Sequence, residues 1–253
     1  MTVLFSFNAC GSDDDNSGKP DDNKTSKKIT KIRTTTKDEY KDEIIDIFKY
    51  SKDGELINWE HQILENGVNN TNDSDYCNLS VTSRDKDKIV VKGISEGDNV
   101  IETYTLNKDG LVTLIEQANQ DEPEENYRWN FQYSNGYLIH LLFTENDGTS
   151  YLQEFSYSNG NMIKVVDEDS DFINFSYLDD LNKGQIFNNH LSDDNFYLKF
   201  WQFLGIQGKA SSNLVKSYND SESRKETFVY TFDNDGYVTR AESELHVYEY
   251  TYE

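Results

Sequence analysis

Apolar and aromatic residues along most of this chain alternate with polar ones at a spacing of two, and short polar turns that end in glycine interrupt the alternation. Residues i and i+2 of a strand point to the same face of a sheet, so this spacing is typical of strands with one buried face. An Asn-Gly or Asp-Gly pair supplies the positive φ angles that a tight hairpin turn needs. The pattern therefore predicts a series of β-hairpins.

Five copies of this unit can be recognised, each with two aromatic or apolar residues before the turn and an apolar strand start after it. They span residues 48–57, 104–112, 131–139, 155–163 and 230–238. The series of turn glycines reads Gly54, Gly110, Gly136, Gly160, Gly184 and Gly236. The two widest intervals, from Gly54 to Gly110 and from Gly184 to Gly236, are each long enough to contain one more, degenerate copy of the hairpin unit. Residues 84–87 suit the turn of such a copy in the first interval. An interval of about 25 residues holds two strands and their turns, which predicts roughly fourteen to sixteen antiparallel strands.

Residues 193–218 depart from the alternation, because their apolar residues are too continuous for one face of a strand. Four of these residues would share one face of a short helix: Leu198, Trp201, Phe203 and Leu204. Asp193 or Asp194 suits the N-terminus of this helix, and Gly205 suits its C-terminus. We therefore expect a two-turn helix that plugs an open end or face of the sheet.

Composition supports a β-rich protein with a thin core. Hydrophobic residues make up only 35% of the chain, yet it contains 17 Tyr, 14 Phe and 3 Trp, with two Pro. Aromatic residues suit a half-buried pleated surface. We predict an all-β fold: an antiparallel meander of hairpin repeats, closed or nearly closed as a barrel, with one short helix. Residues 29–253 would form this single β-repeat domain.

The net charge of the chain is −23. A field of this sign repels phosphate backbones, and no basic stripe offsets it, so we exclude nucleic acid as a partner. No segment approaches the ~20 consecutive apolar residues that a membrane-spanning helix needs. An acidic balance by itself more often serves solubility than binding.

Cys10 stands between an apolar stretch that ends in Ala9 and a small, acidic stretch that begins with Gly11. This order resembles a bacterial lipobox, in which a peptidase cuts before a cysteine that carries lipid on its sulfur. The next residues also resemble the export signal of Bacteroidota surface lipoproteins: Ser12, Asp13, Asp14 and Asp15. Cys10 is therefore the predicted site of lipidation.

The lipobox divides the N-terminal part of the chain. We expect residues 1–9 to be the truncated remainder of a lipoprotein signal, and residues 10–28 to be the lipidated cysteine with a disordered acidic linker. Two or more acyl chains on Cys10 would hold the protein in the lipid of the outer membrane, exposed at the cell surface. Because Cys10 would be acylated, Cys77, the only other cysteine, is not expected to form an intrachain disulfide.

The whole chain resembles a family of Bacteroidota surface lipoproteins of unknown function with a porin-like fold, and its hairpins are similar to YD-type repeats. The Cys10 box, the glycine tips and residues 204–209 carry the resemblance. It implies fold and location only. A pore is not expected, because the outward strand faces would need a continuous apolar band about 25 Å tall.

No nucleophile elbow, phosphate loop or two-histidine zinc helix is found, so neither a cofactor nor a catalytic set is expected. The four histidines are scattered, which favours structural roles over metal binding. Asp233, Asp235 and Glu242 have part of the spacing of a calcium loop, but Thr231 stands at its first ligand position. Since hairpin turns also require Asp-Gly, we expect no metal site.

Trp59, Trp129 and Trp201 are candidates for stacking on a ligand, because aromatic faces suit the apolar faces of sugar rings. The alternative is that these aromatic residues fill the core. We expect a non-catalytic protein anchored at the cell surface that binds an extracellular glycan or peptide. The alternatives are an accessory subunit of a surface complex and, with the lowest weight, a hydrolase with paired carboxylates.

Overall fold

The fold is seen in a computed structural model, which describes residues 27–37, 43–65, 68–69, 76–184, 186 and 197–253. Within these residues, eighteen strands form one antiparallel sheet. The strands are β1 Ile29–Thr36, β2 Glu43–Tyr50, β3 Leu56–Glu65, β4 Val68–Asn69, β5 Cys77–Arg84, β6 Lys88–Ser95, β7 Asp98–Leu106, β8 Val112–Asn119, β9 Tyr127–Ser134, β10 Tyr137–Glu145, β11 Ser150–Ser158, β12 Asn161–Asp167, β13 Phe172–Leu181, β14 Asn213–Asp220, β15 Lys225–Thr227, β16 Val229–Phe232, β17 Val238–Glu242 and β18 His246–Tyr252. A 3-10 turn, Pro123–Glu125, and the helix α1, Tyr197–Phe203, complete the described elements.

The sheet is a meander that curls into a nearly closed barrel. β1 pairs with both β2 and β18, which joins the two ends of the meander. β15 and β16 share one place in the ring, since β15 pairs with β14 and β16 pairs with β17. Between β14 and β16 the Tyr230 hydroxyl donates to the Val215 carbonyl at 2.7 Å. The predicted all-β meander is confirmed, and the ring has sixteen places when the two-residue β4 is left out.

Turns alternate between the two ends of the barrel, because consecutive strands run in opposite directions. One end, which we call the closed end, carries five of the turns predicted from the glycine series, and the glycine of each has positive φ: Gly54, Gly110, Gly136, Gly160 and Gly236. Asn135 and Asn159 precede two of these glycines with φ of 54° and 50°, as type I′ turns require. The opposite end, which we call the mouth, carries the turns between β6 and β7, β8 and β9, β10 and β11, and β12 and β13. The predicted hairpin tips therefore lie together at one end.

Gly184 is not a hairpin tip, although it fits the spacing of the series. β13 ends at Leu181, and β14 begins only at Asn213. The long connection enters the barrel at the closed end. Gly184 also lacks the positive φ of the other turn glycines, and the spacing of glycines in the sequence does not reveal this difference in backbone conformation.

The connection fills the closed end, and we call its residues 200–212 the plug. Its helix α1 confirms the predicted short helix, and Gly205 follows it with φ of 76°. Asp193 and Asp194 lie outside the described residues. Beyond the helix, the amides of Lys209 and Ser212 donate to the carbonyls of Gly136 and Gly160 at 2.9 and 3.0 Å. The plug is therefore held to the hairpin tips by backbone hydrogen bonds.

The core inside the ring is rich in aromatic residues, which compensates for the low aliphatic content. Phe200 of the plug stacks on Trp59 with ring centroids 5.2 Å apart. Phe203 packs on Phe48 at 4.2 Å. Cys77 is a buried free thiol, and burial raises its pKa to about 12, so it is a packing residue and not a nucleophile.

Charged side chains form an ion-pair ladder on the outward face of β17, β18, β1 and β2. Arg33 lies 2.5 Å from Glu43 and 3.6 Å from Glu249. Arg240 lies 3.5 Å from Glu249 and 2.9 Å from Glu242. A charge at the middle of a lipid-facing strand costs about 2–4 kcal/mol, so this face is suited to water.

The first described residues are tied to the closed end. The Lys27 ammonium lies 2.6 Å from Asp233 and 2.8 Å from Asp235, and the Lys28 amide donates to the Glu253 carbonyl at 3.0 Å. Strand β1 begins at Ile29, directly after these two lysines. In the described part of the chain, no helix has the length and apolarity to cross a bilayer.

Candidate functional site

The mouth contains an open cleft of about 700 Å³. This volume is in the range of clefts that hold small ligands or short peptide segments. Its wall and rim are formed by Ser95, Glu96, Asp98, Gln117, Asn119, Glu124, Glu125, Asn126, Tyr127, Trp129, Phe143, Glu145, Asn146 and Asp147. These residues come from the mouth ends of β6 to β10 and from the turns between those strands.

A row of aromatic side chains forms one wall of the cleft. Trp129 and Phe143 are cross-strand partners on β9 and β10, and their ring centroids lie 4.4 Å apart. Tyr127 meets Phe143 edge to face at 5.3 Å, and Tyr151 on β11 stacks on Phe143 at 5.9 Å. Tyr151 is 44% exposed and stands outside the residues that line the cleft, so the row continues from the cleft onto the surface beside it. The period of two puts these rings on one face, and the register of the strands brings them side by side.

Six carboxylates surround this wall, and the residues that line the cleft include no lysine, arginine or histidine. The carboxylates come from three turns at the mouth: Glu96, Asp98, Glu124, Glu125, Glu145 and Asp147. The pKa of Glu122, beside them on the rim, is raised by the charge of Glu125 and of Asp98. The cleft therefore has a strongly negative potential.

Two amide side chains of the cleft, Asn119 and Asn126, are engaged within the protein. The Asn119 amide donates to Asp98 at 2.7 Å, while its oxygen accepts from the backbone of Asp121 and of Glu122, each at 3.0 Å. Asn126 accepts from the Asn119 backbone at 2.7 Å. These two amides thus shape the rim of the cleft, where the six carboxylates are the largest group of polar side chains.

The floor of the cleft rests on a buried polar chain. The Tyr127 hydroxyl donates to Gln117, whose cross-strand partner on β7 is Glu102. Glu102 is 1% exposed and accepts a hydrogen bond from the Tyr104 hydroxyl. Burial raises the pKa of Glu102 to about 7. A carboxyl group so well covered does not reach a ligand in the cleft, so it is a poor candidate for a catalytic acid.

Of the three tryptophans predicted to stack on a ligand, only Trp129 lines the cleft. Trp59 and Trp201 are 0% and 1% exposed, so the prediction is wrong for these two. Trp201 meets Trp129 edge to face at 5.3 Å from inside the plug and supports its ring. The alternation of apolar and polar residues shows which residues share a face of a strand. It does not show whether a residue on the inward face lies in the filled interior of the barrel or at its open mouth.

Trp59 is held by a buried carboxylate. Asp46 has no exposed surface, and its Oδ1 accepts hydrogen bonds from Trp59 Nε1 at 3.0 Å and from His61 Nδ1 at 2.8 Å. This cluster is sealed inside the ring and satisfies its own polar groups, so it stabilises the core and has no access to a substrate.

The acids with calcium-loop spacing do not converge on one point. Asp233 and Asp235 at the closed end bind Lys27, and the Asp233 oxygen also accepts from the Tyr237 backbone at 2.9 Å. Glu242 lies at the mouth end of β17, where it binds Lys37 at 2.7 Å. The spacing therefore reflects hairpin turns.

The residues predicted for lipidation and export lie outside the described residues: Cys10, Ser12, Asp13, Asp14 and Asp15. The sequence did not single out the acids of the cleft. A signal was available, because alternate turns of a meander gather at one end, and the turns at 96–98, 121–125 and 145–147 are all acidic.

Comparison with known proteins agrees with this fold. Residues 86–240, more than half of the chain, match the family described as a domain of unknown function (DUF4595) with porin-like fold. A porin-like protein from Bacteroides uniformis has a TM-score of 0.70 at 17% identity, covering 89% of this chain and 96% of its own. A porin-like protein from Bacteroides vulgatus has a TM-score of 0.45 at 14% identity, covering 90% of this chain and 99% of its own.

No curated protein matches the chain. The likeness to the B. uniformis protein extends over nearly the whole of both chains, and at this identity it shows the fold alone. The match of the family model covers the strands that build the cleft, from β6 to β10. The chain therefore belongs to the DUF4595 family, whose domains have a porin-like fold and no known function.

Proposed function

We propose that this protein is a non-catalytic binding protein, anchored at the cell surface, that holds an extracellular glycan or peptide in the cleft at the mouth. The observation that carries the proposal is the row of aromatic side chains along an open cleft of about 700 Å³. Aromatic rings offer large contact area with little conformational freedom to lose, which is why they are enriched at binding sites.

Catalysis is not favoured by the chemistry of this cleft. Its carboxylates stand on exposed turns, and the one acid with a strongly raised pKa, Glu102, is sealed beneath Gln117. A general acid must reach the proton that it transfers. The cleft thus offers contact area and charge without a poised catalytic group.

A pore is not favoured either, although the fold is porin-like. The plug fills the closed end with Phe200 and Trp201, which are 0% and 1% exposed. The ion-pair ladder between Arg33 and Arg240 covers part of the outward face with charge. A filled interior and a charged outer face suit a protein surrounded by water.

The point at which the described chain begins agrees with ligand capture at the mouth. Lipid on Cys10 would join the fold through Lys27, which is bound at the closed end. The mouth lies at the other end of the barrel. A protein tethered in this way would present its cleft away from the membrane.

An accessory role in a surface complex is the second candidate. Exposed hydrophobic side chains flank the place where β14 and β16 lack a backbone ladder: Leu181, Val229 and Phe232. Unpaired strand edges are common sites of protein association. This surface lies away from the cleft, so the two candidate functions can be tested separately.

Substitution of Tyr151 tests the binding proposal. The full chain is applied to a glycan array and a peptide array, and Tyr151→Ala is expected to weaken binding about tenfold by removing the exposed end of the aromatic row. Phe232→Ala is the matched control, because this ring is 40% exposed but stands at the closed end. Blank arrays for the unsubstituted chain, or equal losses in both variants, would refute the proposal.

A further inference from the structure

We infer that the ligand of the cleft is cationic, and specifically a peptide segment that carries lysine or arginine side chains. This inference rests on the proposed function and specifies its ligand. It combines three features of one site: a cleft of about 700 Å³, an aromatic wall, and a rim of six carboxylates. The aromatic wall would favour a sugar or a peptide, and the charge decides between them.

Charge around the aromatic wall is not balanced by the residues that line the cleft. None of those residues is basic, and the raised pKa of Glu122 reflects repulsion from Glu125 and Asp98. A bound cation relieves this repulsion, whereas an anionic sugar increases it. An acidic glycan is therefore the least suitable ligand.

A neutral glycan is recognised mainly through hydroxyl groups, which need both donors and acceptors. Two donors of the cleft are committed, since the Asn119 amide bonds to Asp98 and the Tyr127 hydroxyl bonds to Gln117, while Trp129 Nε1 has no hydrogen-bond partner among the described residues. The largest group of polar side chains in the lining is the six carboxylates, which are acceptors with negative charge. Ammonium and guanidinium groups are pure donors with positive charge, so they match this surface.

The aromatic wall suits the same ligand. Cations lie favourably over the faces of tryptophan, tyrosine and phenylalanine rings within about 6 Å of the centroid. The protein already uses this arrangement at its closed end, where the Lys27 ammonium binds Asp233 and Asp235 and lies 5.3 Å from the centre of the Tyr237 ring. The cleft repeats this combination of carboxylates and aromatic rings, with Trp129 and its neighbours as the rings.

The probe for this inference is a dye-labelled tri-arginine peptide, with tri-glutamate and maltotriose as comparison ligands, and the readout is fluorescence anisotropy. The double variant Glu124→Gln and Glu125→Gln removes two exposed charges from the rim, in a turn without buried residues. We expect tri-arginine to bind the full chain and to bind this variant about tenfold more weakly, which corresponds to about 1.4 kcal/mol. Added salt should weaken binding further, because exposed charges are screened.

The matched control carries Asp53→Asn and Glu55→Gln, which remove the same charge from exposed residues at the closed end. This variant should bind tri-arginine within about twofold of the unsubstituted chain. Equal weakening in both double variants would show a general attraction to an acidic protein and would overturn the inference. If maltotriose binds in a manner that depends on Tyr151 and tri-arginine does not bind, the binding proposal stands and the cationic ligand is refuted.

Discussion

Glu102 shows how strongly its surroundings determine the behaviour of a single residue. On β7 it occupies a position that faces the interior, between Val100 and Tyr104, and it is 1% exposed. Burial disfavours the carboxylate, which raises the pKa to about 7. Because the folded pKa lies above the unfolded value, this residue favours folding at low pH, and its contribution is lost as the pH rises through about 7.

We therefore expect Glu102→Gln to change how stability depends on pH. Between pH 4 and pH 8 the stability of the variant should rise relative to the unsubstituted chain by roughly 3 kcal/mol, as the shift of the pKa implies. Urea unfolding at several pH values measures this difference. Glu116→Gln on the neighbouring strand is the control, since Glu116 is exposed and its replacement removes the same charge outside the core. If the difference in the free energy of unfolding between Glu102→Gln and the unsubstituted chain stays the same at every pH, the raised pKa of Glu102 is contradicted.

Sequence could not distinguish Glu102 from the other acids of the chain. Its neighbours at i−2 and i+2, Val100 and Tyr104, do show an apolar face, but acids at even offsets are common in so acidic a protein. The same limit applies to Trp59 and Trp201, for which the sequence left stacking on a ligand and packing in the core as alternatives, and their burial shows packing in the core. Asp46 gave no signal at all, because its role depends on Trp59 and His61 in the next strand.

Hairpins were the elements that sequence predicted best, because their turns depend on local chemistry. Asn135-Gly136 and Asn159-Gly160 take the positive φ angles that the type I′ turn requires, whatever the rest of the chain does. The cleft could not be predicted in this way. It depends on which turns meet at one end and on the register of β9 with β10, and both are properties of the assembled ring.

The plug motif is the element with the tightest fit to the rest of the barrel. Gly208 has φ of 101°, and a Cβ on it would lie 2.7 Å from the Gly136 carbonyl oxygen and 3.1 Å from the Tyr133 ring. Gly208→Ala would therefore combine backbone strain with a clash against the backbone of a hairpin tip. The plug would be displaced from the tip that it binds.

We expect Gly208→Ala to lower the free energy of unfolding by roughly 3 kcal/mol. Amide hydrogen exchange at Lys209 and Ser212 should also accelerate, since their amides bond to the tips. Gly110→Ala is the control, because Gly110 has φ of 78° with no atom within 4 Å of an added Cβ. Gly110→Ala introduces the backbone strain without the clash. Equal losses in the free energy of unfolding in the two variants would therefore show that the close contact between the plug and the hairpin tip does not contribute to stability.

At the scale of the whole molecule, the first described residue, Lys27, and the cleft lie at opposite ends of one barrel. If lipid on Cys10 holds the protein at the membrane, Cys10→Ala should move it from the membrane fraction to the soluble fraction of a lipoprotein-processing host. The acyl chains supply the affinity, at about 0.8 kcal/mol for each buried CH₂ group. Cys77→Ala is the control, because this buried thiol has no access to lipid. Unchanged partitioning of Cys10→Ala would contradict the anchor.

Closure of the ring through β1 and β18 has a consequence for how the molecule forms. The two strands lie more than 200 residues apart in the chain, as in the hydrogen bond from Thr30 to Thr251. Contacts of such long range form late and slowly, because a large loop must be ordered first. During synthesis, β1 therefore exposes an unpaired edge until β18 emerges, and a chain in that state is prone to pair with a neighbour. Loss of β18 would open the edges of β1 and β17 together, so β18 protects a strand made more than 200 residues before it.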